Sequence, residues 1–166
     1  MEIKPLTPHI GAEITGVDLG SAFDNETMAA IHQAFLDWMV LVFRDQKLDR
    51  EQHKAFGSRF GPLHSHPRNF RTTDDPELLM VKTTADSPYT AGDGWHTDVT
   101  CDELPPMGSM LYITETPEIG GDTLYADMYL AYELLSDTMK AILEGLVAVH
   151  DGAKPYVGNY KSTPPE

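Results

Sequence analysis

Apolar positions at helical and strand spacing define the order of elements over residues 1–60 as strand, helix, strand, helix. Residues 24–39 carry apolar side chains on one face at a period of 3.6 residues, which predicts an amphipathic helix. The members of this face are Met28, Ile31, Phe35 and Met39. Asp24 or Asn25 is the expected N-cap. The short apolar run 39–43 predicts a strand that is covered on both faces.

A second helix is predicted from a local capping pattern. Asp49 provides a side-chain acceptor, and Gln52 stands three residues later, as in a capping box. The helix is expected to run through Phe56 and Phe60 and to end at Gly61-Pro62.

The middle of the chain predicts long loops. Residues 64–78 and 83–94 are rich in Pro, Gly, Thr, Asp and Asn, and they flank one strand candidate at 78–82. Loops of this length in a compact domain are commonly functional.

The C-terminal third predicts further strands and two short helices. Residues 107–126 are predicted to form an antiparallel hairpin with its turn at Gly120-Gly121-Asp122. Asp127 and Ser136 are the expected N-caps of two short helices, and 146–150 resumes as a strand. The fold class is therefore mainly β with helices (α+β), with too few strands to close a barrel.

Composition narrows the range of functions. The chain has 12 Lys and Arg against 26 Asp and Glu, a net charge of −14, so nucleic acid and anionic membrane surfaces are not expected partners. No apolar run approaches the roughly 20 residues of a membrane span. The first residues contain no signal-peptide segment, and the single Cys101 excludes an internal disulfide framework. The expectation is a soluble, cytoplasmic chain.

One short motif has the donor set of a metal site. In Trp95-His96-Thr97-Asp98, a strand conformation would place the imidazole of His96 and the carboxylate of Asp98 on the same side. These are two of the three ligands in a 2-His-1-carboxylate site for non-haem Fe(II). The alternative is a loop histidine that is held by a local aspartate.

Several sequence blocks occur together in a specific order. They are residues 10–19 (IGAEITGVDL), 43–46 (FRDQ), 60–67 (FGPLHSHP), 95–100 (WHTDVT), 105–108 (PPMG), 120–124 (GGDTL) and 131–136 (AYELLS). With these blocks the chain resembles the taurine/2,4-dichlorophenoxyacetate dioxygenase family of Fe(II)- and 2-oxoglutarate-dependent oxygenases, and it is most similar to the taurine dioxygenase branch.

The resemblance implies a fold and a chemistry. The fold is a double-stranded β-helix (jelly roll), of which residues 1–166 would form the N-terminal part of a single domain. The activity is hydroxylation of a small anionic substrate (a sulfonate, alkyl sulfate or carboxylate) with Fe(II), 2-oxoglutarate and O₂ and with release of succinate and CO₂. Members are commonly homo-oligomers.

The resemblance also implies roles for individual residues. His96 and Asp98 match the first two iron ligands, and Thr123 matches a threonine that contacts a carboxylate of 2-oxoglutarate. His66 matches a histidine that contacts the anionic head group of the substrate, and Val99 matches a residue that lines the same pocket. Thr123 and Val99 are also explained as β-branched strand residues, and His66 as a solvated loop histidine.

Three positions depart from the taurine enzymes in the substrate region. Asn69, a predicted substrate-binding position, replaces a tyrosine, and Gly92 replaces an asparagine. Cys101 stands where an apolar or aromatic residue is usual. His64 is placed as well as His66 to meet an anion. Taurine is therefore no more strongly expected as the substrate than another small anion.

The third iron ligand and the arginine that binds 2-oxoglutarate have no match. The only histidine after Asp98 is His150, which aligns with a different family segment, and no arginine follows Arg71. The C-terminal half of the jelly roll is therefore expected to be absent from these 166 residues. The full-length protein is expected to be the enzyme, and these residues alone are expected to be inactive. The alternative function is a non-catalytic or split jelly-roll chain.

Overall fold

The computed structural model describes residues 1–65, 75–84, 86–87, 92 and 94–151. The chain divides into two compact units. The first comprises Met1–Leu63 with Tyr112–Gly145, and the second comprises His64–Leu111 with Leu146–Glu166. Among the helices in the described part, none has the length and apolar character needed to cross a membrane.

The first unit contains a three-stranded sheet in the order β1-β2-β3, formed by Glu2–Pro5, Ala12–Thr15 and Leu41–Phe43. β1 and β2 are antiparallel, and β2 and β3 are parallel. A parallel pair requires a crossover connection, and helix α1 (Asn25–Trp38) provides it. The predicted strand at 39–43 is confirmed in its last three residues, although it is only half-buried.

Helix α1, Asn25–Trp38, confirms the helix predicted at 24–39. Asp24 is its N-cap and accepts a hydrogen bond of 2.7 Å from the Thr27 backbone N–H. This bond lowers the pKa of Asp24, so the carboxylate keeps its capping role until the pH falls through that lowered pKa. The helix buries Met28, Ile31 and Ala34. Two members of the predicted apolar face, Met28 and Ile31, are therefore buried, whereas Phe35 is half-buried and Met39 lies beyond the helix as its C-cap.

Helix α2, Arg50–Ser58, begins with the predicted capping box. The Asp49 carboxylate accepts from the Gln52 backbone N–H at 2.8 Å, and the Gln52 side chain accepts from the Asp49 N–H at 2.9 Å. The helix ends before Phe60, two residues earlier than predicted. Phe60 still packs against Phe56, with ring centroids 5.5 Å apart.

Helices α3, Met128–Glu133, and α4, Asp137–Leu143, confirm the last two predicted helices. Asp127 accepts from the Leu130 N–H at 2.9 Å and Ser136 from the Met139 N–H at 3.2 Å, so both predicted N-caps are correct.

The strands predicted at 78–82, 107–126 and 146–150 are not formed in the described residues. A strand needs a neighbouring strand for its backbone N–H and C=O groups, and these segments are not part of the described sheet. Their apolar side chains are exposed, for example Ile113 at 60% and Val149 at 89%. The described architecture is a small sheet with four helices, and the jelly roll stays a prediction.

Loss of the α2 cap gives a first testable prediction. We expect Asp49→Ala to lower the free energy of unfolding by about 1 kcal/mol, because it leaves the Gln52 N–H without its side-chain acceptor. Urea unfolding followed by circular dichroism measures this change. Glu51→Ala removes the same charge from an 81% exposed side chain paired with Lys54 and is expected to cost less than about 0.5 kcal/mol. Equal losses in the two variants would contradict the cap assignment.

Candidate metal centre

The imidazole of His96 is oriented by its own backbone neighbourhood. Its Nδ1 lies 2.7 Å from the Gly94 carbonyl oxygen. A carbonyl only accepts hydrogen bonds, so Nδ1 carries a proton and Nε2 is left to face another group. Gly92 lies beside the ring, because a Cβ at that position would be 3.6 Å from His96 Cε1. This orientation is the one that metal-binding histidines commonly adopt.

The carboxylate of Asp98 faces the same ring. Its Oδ1 lies 3.3 Å from His96 Nε2, and its Oδ2 accepts a hydrogen bond of 2.7 Å from the Ser109 hydroxyl. The two side chains are about half exposed, at 47% and 52%. The structure therefore brings the two predicted ligands together. The atoms that would bind a metal, Nε2 of His96 and Oδ1 of Asp98, are directed at each other.

The segment that contains His96 and Asp98 is not a strand. A turn follows instead, closed by a hydrogen bond of 3.1 Å from the Asp102 N–H to the Val99 carbonyl. Val99 has a φ of 52°, a left-handed conformation that is costly for a β-branched residue. The two side chains meet directly before this turn, in a segment that is not a strand.

Two further histidines contact this turn, and sequence reasoning missed both contacts. His64 Nε2 lies 3.0 Å from Asp102 Oδ2, and His150 Nδ1 lies 2.8 Å from the Thr100 hydroxyl. Their partners are 38 and 50 residues away in sequence. No local pattern marks contacts of this range. His64 therefore contacts Asp102 of the turn, a contact that its position near His66 in the sequence did not indicate.

The donor pair fits two positions of an octahedral metal ion. Neighbouring ligands at about 2.1 Å from a metal are about 3.0 Å apart, close to the 3.3 Å between Nε2 and Oδ1. With Nδ1 protonated, both facing atoms present lone pairs, an arrangement that a cation or a second ring proton stabilises. A doubly protonated ring held by Asp98 is the alternative that the sequence left open. Within the described ranges, no group of three His, Cys, Asp or Glu side chains forms a metal site.

The other predicted site residues fall in different places. Thr123 is exposed and belongs to the first unit, whereas His96 and Asp98 belong to the second. It follows Gly120 and Gly121, whose φ values of 79° and 78° favour glycine, but the predicted turn at 120–122 is not assigned. His66 and Asn69 lie outside the described residues.

Comparison with known proteins agrees with the sequence blocks. The family model described as taurine catabolism dioxygenase TauD, TfdA family, matches residues 2–165. An alkylsulfatase of Acinetobacter baylyi is 38% identical over 169 residues, which cover 100% of this chain and 52% of the relative. An (S)-phenoxypropionate/alpha-ketoglutarate-dioxygenase of Sphingobium herbicidovorans is 35% identical over 90% of this chain and 53% of its own length.

A solved structure shows the same relationship. The crystal structure of a taurine dioxygenase from Burkholderia xenovorans has a TM-score of 0.69 and 36% identity, over 87% of this chain and 51% of that chain. The chain thus spans about half the length of the relatives it matches. Members of the family use Fe(II), 2-oxoglutarate and O₂. A family model that matches nearly the whole sequence, together with these relatives, shows that the chain belongs to the TauD, TfdA family of dioxygenases.

Proposed function

We propose that the full-length protein is an Fe(II)- and 2-oxoglutarate-dependent dioxygenase that hydroxylates a small anionic organic substrate, with release of succinate and CO₂, and the activity experiments below refer to that full-length protein. The observation that carries this proposal is the pairing of His96 Nε2 with Asp98 Oδ1 at 3.3 Å. We further propose that the chain forms part of a double-stranded β-helix, as the family relationship suggests. Homo-oligomeric assembly and a cytoplasmic location stay predictions from the sequence.

In this proposal each predicted residue has a defined task. His96 and Asp98 hold the metal, and Fe(II) at that position supplies the activation of O₂ that couples decarboxylation of 2-oxoglutarate to hydroxylation. The Gly94 carbonyl keeps the His96 ring in the tautomer that offers Nε2. Thr123 donates its hydroxyl hydrogen to a carboxylate of 2-oxoglutarate.

The substrate is proposed to be a sulfonate, an alkyl sulfate or a carboxylate. The three relatives described above are named for an alkyl sulfate, a phenoxypropionate and taurine, all small organic molecules that carry an anionic group. His66, Asn69 and Val99 are the proposed substrate-binding residues. Because Asn69 and Gly92 depart from the taurine enzymes, taurine is only one of the substrates to be tested.

A non-catalytic or split jelly-roll chain is the second candidate. It is favoured by one observation, that the described residues contain two of the three expected iron ligands and no third. A chain with only this pair would bind Fe(II) weakly and would need the third ligand from elsewhere.

Succinate formation distinguishes the two candidates. The protein is incubated with Fe(II), ascorbate, O₂ and 2-oxoglutarate, and with hexyl sulfate, taurine or a phenoxyacetate in separate reactions. We expect at least one anion to raise succinate formation at least about 10-fold over the reaction without substrate, and EDTA to abolish the increase. No increase with any of these anions, together with no Fe(II)-dependent binding of 2-oxoglutarate under anaerobic conditions, would favour the non-catalytic candidate.

A further inference from the structure

The hydroxyl of Ser109 makes a contact that the proposed function does not use. Its Oγ donates to Asp98 Oδ2 at 2.7 Å, a short distance typical of a hydroxyl bound to an ionised carboxylate. The two residues are 11 positions apart in the chain and belong to the same compact unit. No regular helix or strand contains either residue. The hydrogen bond thus joins two segments that contain no helix or strand.

Because of this hydrogen bond, the two oxygens of the Asp98 carboxylate have different partners. Oδ2 is occupied by Ser109, while Oδ1 faces His96 Nε2 at 3.3 Å. A carboxylate with one oxygen engaged in this way offers the other oxygen alone to a metal. One-oxygen binding uses one coordination position and leaves the remaining positions for other ligands.

The two predicted ligands are held by the same kind of support. His96 uses its far ring nitrogen to bond the Gly94 carbonyl, and Asp98 uses its far oxygen to bond Ser109. Both ligand side chains are about half exposed, so neighbouring side chains do not enclose them. An exposed side chain loses rotamer freedom when it binds a metal, and a hydrogen bond formed beforehand reduces that cost. Ser109 provides this hydrogen bond for Asp98, and the Gly94 backbone carbonyl provides it for His96.

We infer that Ser109 is a positioning residue that holds Asp98 in a one-oxygen, metal-binding orientation. The inference rests on the proposed function, because it requires His96 and Asp98 to bind a metal. Loss of a hydrogen-bond partner behind a metal ligand typically weakens metal affinity by 10- to 100-fold. Ser109→Ala is therefore expected to weaken Mn²⁺ binding by about 10- to 100-fold. Ser109→Thr keeps a hydroxyl and is expected to restore affinity to within about 3-fold of the original protein.

The test is a titration with Mn²⁺ alone, in which the EPR signal of the free ion is measured. The original protein is compared with Ser109→Ala, Ser109→Thr, Asp98→Ala and the matched control Ser58→Ala. Ser58 donates to the Lys54 carbonyl within α2, so its replacement removes a hydroxyl from the other unit and is expected to leave Mn²⁺ affinity unchanged. Circular dichroism spectra show whether each variant keeps the helices of the original protein.

The outcomes separate the inference from the proposed function. Weaker binding in Ser109→Ala with recovery in Ser109→Thr supports the positioning role, because a general structural defect would not be repaired by a hydroxyl. Unchanged affinity in Ser109→Ala, with binding lost in Asp98→Ala, overturns the inference and leaves the proposed metal ligands in place. Equal Mn²⁺ uptake by the original protein and Asp98→Ala overturns the inference together with the metal site.

Discussion

Replacement of Asp98 by alanine is expected to reduce substrate-dependent succinate formation by at least about 1000-fold. The variant removes Oδ1, the atom that faces His96 Nε2 at 3.3 Å. Loss of a residue that hydrogen-bonds to a metal ligand typically lowers metal affinity or activity by 10- to 100-fold. Loss of the ligand atom itself is expected to lower activity further. The measurement is the initial rate of succinate formation at saturating 2-oxoglutarate, with Fe(II) varied to separate weak metal binding from slow turnover.

The expected effect is specific to the metal-binding pair. His96→Ala should give a loss of the same size, because it removes the other facing atom. Asp37→Ala is the matched control, since Asp37 is an exposed carboxylate on α1 that accepts from the Gln33 side chain at 2.8 Å. It is expected to retain the original rate within about 2-fold. Turnover by Asp98→Ala within 10-fold of the original rate would show that Asp98 is not a ligand.

Local signals explain why the helices were predicted well. Each of the four helices begins at a predicted N-cap, and each cap is a bond between residues three positions apart. Such a bond requires no distant partner, so the sequence of a few residues determines it. The sheet is not local in this sense, because β2 pairs with β3 across 29 residues (Ala12 with Leu41), although all three strands lie within the first 43 residues.

In the described residues the strands predicted in the C-terminal third are not formed, because an apolar pattern does not by itself supply a pairing partner. The apolar pattern at 107–114 and 146–150 is that of strands, but a strand forms only where another strand accepts its hydrogen bonds. The described residues offer these segments no such neighbour. Tyr112 illustrates the alternative, because its hydroxyl donates to the Gln46 carbonyl at 3.1 Å and accepts from the Leu48 N–H at 3.2 Å.

The sequence predicted which residues form the candidate site, but it did not predict their geometry. The His96 and Asp98 pair follows from a two-residue spacing, and the structure confirms that the two side chains meet. They meet without a strand, next to a turn in which Val99 has a φ of 52°. The supports from Ser109 and His64 could not be predicted, because they join residues 11 and 38 positions apart outside any regular element. The ligand roles themselves stay predictions until metal binding is measured.

The second large effect is expected in the core of the first unit. Phe56 is 4% exposed, and its ring packs edge-on against three other phenylalanine rings at centroid distances of 5.5 to 6.0 Å. These rings belong to Phe23, Phe43 and Phe60. Truncation of a buried phenylalanine to alanine removes its apolar contacts and leaves a cavity, at a cost of about 3–5 kcal/mol. Phe56→Ala is therefore expected to lower the free energy of unfolding by about that amount.

This loss is large compared with the total stability of a domain, which is about 5–15 kcal/mol. Urea unfolding of Phe56→Ala, followed by circular dichroism, should show a midpoint shifted to much lower urea or no folded baseline. Leu36→Ala is the control, because Leu36 is an apolar residue of α1 that is 57% exposed and is expected to cost less than about 0.5 kcal/mol. If both variants unfold at the same urea concentration, the phenylalanine cluster is not the stabilising core of this unit. If Phe56→Ala alone loses stability, the sheet and α2 owe their packing to a cluster formed entirely within the first sixty residues.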